Sequence, residues 1–102
     1  MKGKNYYIPK VLSIAGSDPS GGAGIQADLK SFSANKTFGM SVITALTAQN
    51  TMGVQDIHLV PEGFIESQIN SIFQDIIVDA VKIGMIANSS IASIISKNLL
   101  LP

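Results

Sequence analysis

Val11-Leu-Ser-Ile-Ala-Gly16-Ser-Asp-Pro-Ser-Gly21-Gly-Ala-Gly24-Ile-Gln-Ala-Asp28-Leu-Lys-Ser-Phe32 decides how the rest of the chain is read. A short apolar run enters a loop built on Gly16, Gly21, Gly22 and Gly24, and the loop opens into a helical pattern with Ile25, Leu29 and Phe32 on one face. This is a strand, loop, helix unit. Glycines at such a junction let a ligand approach backbone N–H groups, and the helix start adds unpaired donors and partial positive charge. The junction is therefore the first candidate for a binding site.

Outward from it, the helix is expected over about residues 22–35, stopped between Lys36 and Gly39 by the glycine. Met40-Ser-Val-Ile-Thr-Ala-Leu-Thr-Ala48 reads as one strand covered on both faces, as parallel strands are. Thr51 to Pro61 is weaker and predicts a loop with a short edge strand. Pro61 and Glu62 suit a helix first turn, with Ile65, Ile69, Ile72, Phe73 and Ile76 as its buried stripe. Asp79 to Ile86 predicts a third strand. Ser89 or Ser90 can cap a last helix, which buries Ile91, Ile94, Ile95 and Leu99. Strands alternating with helices imply a parallel α/β sheet with right-handed crossovers, and the first ten residues a loose extension.

Composition bounds the function. The chain has 102 residues, 46% apolar and 14% charged, room for one heavily buried domain. Seven lysines balance seven acidic residues, which gives no basic footprint for nucleic acid. No cysteine is present, so thiolate nucleophiles, disulfides and cysteine zinc sites are excluded; a lone histidine, His58, makes no metal cluster and reads as a solvated loop or strand-edge residue. No export signal and no apolar run long enough to span a bilayer is seen, so a cytoplasmic location is the default expectation.

Two phosphate motifs come near the loop, and neither fits it. Gly22-Ala-Gly-Ile-Gln-Ala27 matches the G-x-G-x-x-A form of the dinucleotide fingerprint, but Ser17 to Ser20 separate it from the strand, and Gln49-Asn50 stand where an acidic ribose ligand belongs. A Walker A loop fails for want of its lysine, because Gly21 is followed by Gly22 and Ala23.

With Ser41-Val-Ile-Thr-Ala-Leu-Thr-Ala-Gln-Asn-Thr51 and Val81-Lys-Ile-Gly-Met85, the glycine loop resembles the N-terminal part of the hydroxymethylpyrimidine/phosphomethylpyrimidine kinases of thiamin biosynthesis, from about Val11 to Leu99 in one register. The resemblance implies the N-terminal portion of a ribokinase-like three-layer α/β/α fold with a mainly parallel sheet. It implies ATP-dependent phosphorylation of 4-amino-5-hydroxymethyl-2-methylpyrimidine and its monophosphate, with Mg2+, and a homodimer for the full-length family. Residues 11–102 would be the substrate-side part, with the ATP-binding and catalytic part beyond Pro102 and the chain inactive alone. A pyridoxine or pyridoxal kinase fragment and a non-catalytic aminopyrimidine-binding module are the alternatives.

Five residues are candidates for substrate binding. Gln49, at a strand end, offers a donor and an acceptor that can pair with an aminopyrimidine, and the family reads its ring there; the bland reading is an amide satisfying loop backbone. Gly16 would let the ring approach the backbone. Asp28 borders the helical stripe and either interacts with the helix N-terminus or binds the hydroxymethyl end. Asp18 is an Asx-turn residue or part of the signature loop's site. Met85 packs in the core or against the ring. Lys82, a charge in an apolar strand, is expected to snorkel or to pair with a carboxylate such as Asp79, without a catalytic role. No catalytic, nucleotide-binding or metal-binding residue is assigned in the chain.

Overall fold

The computed structural model describes residues 7–84 and 88–99. Its elements run β1 (Lys10–Ala15), α1 (Gly24–Ala34), β2 (Phe38–Ile43), β3 (Ala45–Asn50), β4 (Gly53–Leu59), α2 (Glu62–Phe73), β5 (Ala80–Ile83) and α3 (Ser89–Leu99). β1 lies between β2 and β5, parallel to both. Period-two alternation divides the faces of this sheet. Leu12, Ile14, Met40 and Val42 point one way, into a core completed by Ile65 and Ile69 of α2 and Ile91 and Ile95 of α3. Ser13 and Gly39 point the other way, toward α1. The result is the expected α/β/α layering around a parallel sheet.

α1 ends differently from expectation. Lys36, not a glycine, takes the left-handed turn at φ 60°, and the Thr37 N–H donates back to the Phe32 carbonyl at 3.0 Å, closing the last turn. Gly39 serves packing instead: a Cβ there would come within 2.9 Å of Leu29 and 3.0 Å of Phe32, so its bare backbone lets α1 settle on β2. In α2, Ile65 and Ile69 are buried as expected, whereas Phe73 is exposed and Ile76 lies beyond the helix end. α3 is capped one residue early, by the Asn88 side chain accepting the Ile91 N–H at 3.0 Å rather than by Ser89 or Ser90.

The largest departure is in residues 40–48. They do not form one strand. The chain leaves the parallel sheet at Thr44, whose N–H donates to the Ala15 carbonyl at 3.0 Å while its carbonyl accepts from the Val60 N–H at 3.1 Å. β3 then pairs with β4 as a separate antiparallel ribbon, closed by Thr51 and Met52, with a bulge between Ala48 and Gln49. The segment expected as loop and short edge strand is thus a seven-residue strand, with His58 exposed on it. Because β2 is a sheet edge, Ile43 needs other partners there. Gln68 of α2 supplies both, its Oε1 accepting the Ile43 N–H and its Nε2 donating to the Ile43 carbonyl, each at 2.9 Å.

Asp79 is also not where expected. It accepts from the Tyr7 hydroxyl at 2.7 Å and the Lys10 N–H at 2.8 Å, pinning the segment before β1. No helix among the described residues is long and apolar enough to cross a membrane.

Candidate functional site

A cavity of about 780 Å³ opens where the carboxyl ends of β1 and β5 meet the start of α1, the end of a parallel sheet at which α/β proteins bind ligands. Its floor is Ala15 to Asp18, with Ala23, Gly24, Lys82 and Gly84. The ribbon forms its roof with Thr47, Gln49, Val54, Ile57 and Leu59. Those three β4 side chains are each about half exposed, an apolar surface that a bound ring would cover.

The glycine loop is held by its own polar groups. Asp18 accepts from the Ser20 hydroxyl at 2.6 Å, the Ser20 N–H at 2.9 Å and the Gly22 N–H at 3.0 Å. These bonds, the Ser20 hydroxyl first among them, hold its carboxyl below the usual carboxylate range. The Gly16 carbonyl accepts the Ile25 N–H at 2.9 Å, so one of the donors expected to be free at the helix start is already used. This closure brings Gly24, at φ 61°, against the Gly16 carbonyl, leaving no room for a Cβ. Gly16 differs: a Cβ there would meet nothing among the described residues closer than the Ala45 carbonyl oxygen at 3.5 Å.

Three hydrogen bonds stitch the loop to the roof. The Ser17 N–H donates to the Ala45 carbonyl at 2.9 Å, the Thr47 N–H donates to Ser17 Oγ at 3.2 Å, and Thr47 Oγ1 donates to the Ser17 carbonyl at 2.8 Å. Thr47 Oγ1 also lies 3.1 Å from Gln49 Oε1, on the same face of β3. Gln49 is half-buried in the cavity wall.

Below the floor, Asp28 of α1 accepts from Ser13 Oγ and from Lys82 Nζ, each at 2.7 Å. Ser13 and Lys82 are register partners on β1 and β5, so the parallel pairing sets both donors side by side under one carboxylate. Burial pushes the Asp28 carboxyl up, but the bonds from Lys82 and Ser13 outweigh it and hold it below its ordinary value. Lys82 therefore pairs with Asp28 and not with Asp79. Residues three apart on a strand face opposite sides of the sheet, which carries Asp79 away from Lys82.

Of the five candidates, Gly16, Asp18 and Gln49 come together around the cavity. Asp28 stands behind it, reaching it through Lys82. Met85 lies outside the described residues. Sequence reasoning passed over Lys82 and Thr47 as site residues. The lysine carried a signal, a charge amid apolar neighbours, whereas nothing distinguishes Thr47 from other β-branched strand residues until the ribbon is seen.

The family model for phosphomethylpyrimidine kinase matches residues 18–101. The hydroxymethylpyrimidine/phosphomethylpyrimidine kinase of Salmonella typhimurium is 53% identical over 88 residues, which are 86% of this chain and 33% of that protein. A solved phosphomethylpyrimidine kinase from Clostridium difficile superposes with a TM-score of 0.86 at 56% identity, over 89% of this chain and 39% of the other. The Bacillus subtilis pyridoxal kinase superposes with a TM-score of 0.82 at 37% identity, over 91% of this chain and 37% of the other. The chain thus spans about a third of the length of the Salmonella kinase. With the α1, ribbon and β5 segments of the cavity all inside the matched span, the chain belongs to the phosphomethylpyrimidine kinase family.

Proposed function

We propose that the cavity is the acceptor site for 4-amino-5-hydroxymethyl-2-methylpyrimidine and its monophosphate, in a kinase of thiamin biosynthesis. The observation that carries this reading is Gln49, an amide with donor and acceptor capacity set in the wall beneath an apolar roof of Val54, Ile57 and Leu59. A flat, methylated aminopyrimidine needs that combination: apolar cover for the ring faces and one hydrogen-bonding edge for its exocyclic amine and ring nitrogen. Gly16 leaves the floor open to the ring edge, since among the described residues only Ala45 stands within 4 Å of the place of its missing side chain. Asp18 shapes the loop, its carboxylate being engaged by Ser20 and Gly22. Asp28 acts from behind the floor by holding Lys82.

Phosphoryl transfer to an alcohol is largely a matter of positioning and charge neutralisation. The described residues offer the first. Lys82 pairs with Asp28, and neither is assigned a part in holding the nucleotide. We assign ATP, its Mg2+ and the acceptor of the alcohol's proton to chain outside this sequence, and expect the 102-residue chain to bind acceptor without turnover. Homodimerisation and a cytoplasmic location belong to the same proposal.

Calorimetric titration tests it. The chain should bind the hydroxymethylpyrimidine more tightly than pyridoxal, show no saturable ATP binding, and release no ADP from the mixture. Replacing Gln49→Leu should raise the pyrimidine's dissociation constant at least about tenfold. Preference for pyridoxal would move the chain to the pyridoxal kinase reading, and an unchanged constant in the Leu variant would remove Gln49 from the site.

A further inference from the structure

The hydroxyl of Thr47 has a single proton and two acceptors in reach, the Ser17 carbonyl at 2.8 Å and Gln49 Oε1 at 3.1 Å. It cannot serve both. The Ser17 carbonyl belongs to a loop backbone fixed by the Ser17 N–H bond to Ala45 and the Thr47 N–H bond to Ser17 Oγ, and it can only accept. Among the described residues, Thr47 is the donor that serves it. The Gln49 amide is the partner free to adapt, because a half-turn about its terminal bond exchanges oxygen for NH2 without moving the rest of the side chain. The proton therefore stays with Ser17, and the Thr47 oxygen is left as an acceptor. Of the two ends of the Gln49 amide, the NH2 satisfies it and the carbonyl oxygen does not.

We propose that Thr47 sets the polarity of the Gln49 amide, turning its NH2 to Thr47 and its carbonyl oxygen to the cavity, so that the site selects a ring bearing an amino group over one bearing an oxo group. The proposal deepens the acceptor-site reading and rests on it. With this polarity the free edge of Gln49 accepts from an exocyclic amine through Oε1, and its second N–H donates to the adjacent ring nitrogen. A 4-oxo ring in the same pose would bring carbonyl oxygen against carbonyl oxygen. Gln49 cannot turn to relieve that contact without facing its own carbonyl oxygen to the Thr47 oxygen. The chain of dependence runs from Ser17 through Thr47 to Gln49, each link fixing the next. Thr47 is in this sense a positioning residue, acting through Gln49.

The test compares binding of 4-amino-5-hydroxymethyl-2-methylpyrimidine with that of its 4-oxo analogue in the wild-type chain and in Thr47→Val, Thr47→Ser and Gln49→Leu. Wild type and Thr47→Ser should favour the amino ring by at least about tenfold, the effect of one mispaired buried hydrogen bond. In Thr47→Val the hydroxyl is gone at nearly constant shape, the amide turns freely, and the preference should fall below about threefold. Preference retained in Thr47→Val, while Gln49→Leu abolishes it, overturns the role of Thr47 and leaves the acceptor site standing. Indifference of the amino ring to Gln49→Leu removes Gln49 from the site and overturns this inference with it, while failure of the chain to bind the amino ring at all overturns the acceptor-site reading. A ligand-free measurement decides separately: a nuclear Overhauser contact from the Gln49 side-chain NH2 to Thr47 Hβ is expected, and its absence in the folded chain refutes the assigned polarity.

Discussion

Replacing Gly24→Ala is expected to unfold the loop from which the cavity floor is made. Gly24 has φ 61°, a conformation that costs an L-residue roughly 1–2 kcal/mol. The new Cβ would also fall inside 3.0 Å of the Gly16 carbonyl oxygen, with the Asp18 nitrogen 3.3 Å away, both of them backbone atoms that cannot swing aside. Relief requires the loop to separate from α1, breaking the 2.9 Å bond from the Ile25 N–H to the Gly16 carbonyl, a loss of about 1–3 kcal/mol in a partly buried setting. The total is about 2–5 kcal/mol. At 4–8 °C per kcal/mol for a domain of this size, the melting temperature should fall by at least roughly 8 °C. Gly22→Ala provides the control within the same loop, because its Cβ would make only an ordinary 3.7 Å contact with Asp18 Oδ2. Differential scanning calorimetry of the two variants measures the difference. Melting temperatures within roughly 3 °C of each other would refute the claim that Gly24 is required by the closure of the loop on the helix.

Gln68→Leu should cost about 2–4 kcal/mol in urea unfolding, since both backbone groups of Ile43 lose their partners at a sheet edge next to α2; a cost below roughly 1 kcal/mol would mean water replaces the amide without penalty. Asp79 should contribute to acid sensitivity. The Lys10 N–H and the Tyr7 hydroxyl hold its carboxyl below the ordinary value. The unfolded chain therefore takes up a proton first as pH falls, so the stabilisation present above about pH 4 is lost as pH drops further. Melting temperatures between pH 3 and 6 should show a shallower acid slope for Asp79→Asn than for wild type, and equal slopes would remove Asp79 from the account.

The glycine loop, the helical stripes and the parallel order of β1 and β5 were legible because each rests on local periodicity or on punctuation by glycine and proline. Residues 40–48 were not. A continuous apolar run records that side chains are buried, and it carries no information on which sheet buries them; the exit at Thr44 depends on carbonyl and N–H partners from Ala15 and Val60, distant in sequence. Gln49 was legible as a strand-end amide near the site, yet its strand is the ribbon, not the parallel sheet. The Asp28 to Lys82 pair was half legible. Both charges need partners on sequence grounds, but Asp79 is the wrong expectation for Lys82, and joining α1 to β5 requires the register of Ser13 with Lys82.

The division of labour at Thr44 has a consequence for how such a site diverges. The sheet and its helices hold the buried core, while the ribbon beyond Thr44 is mostly solvent-exposed along β4 and makes its hydrogen-bond ladder within itself. Substitutions at exposed ribbon positions usually change stability by no more than about 0.5 kcal/mol, whereas the same changes in β1 would strike Leu12 or Ile14 at full burial. Ring preference can thus drift through Val54, Ile57 and Leu59 while the scaffold beneath stays constant. The break that hid the ribbon from a linear reading is what makes it evolvable as a unit.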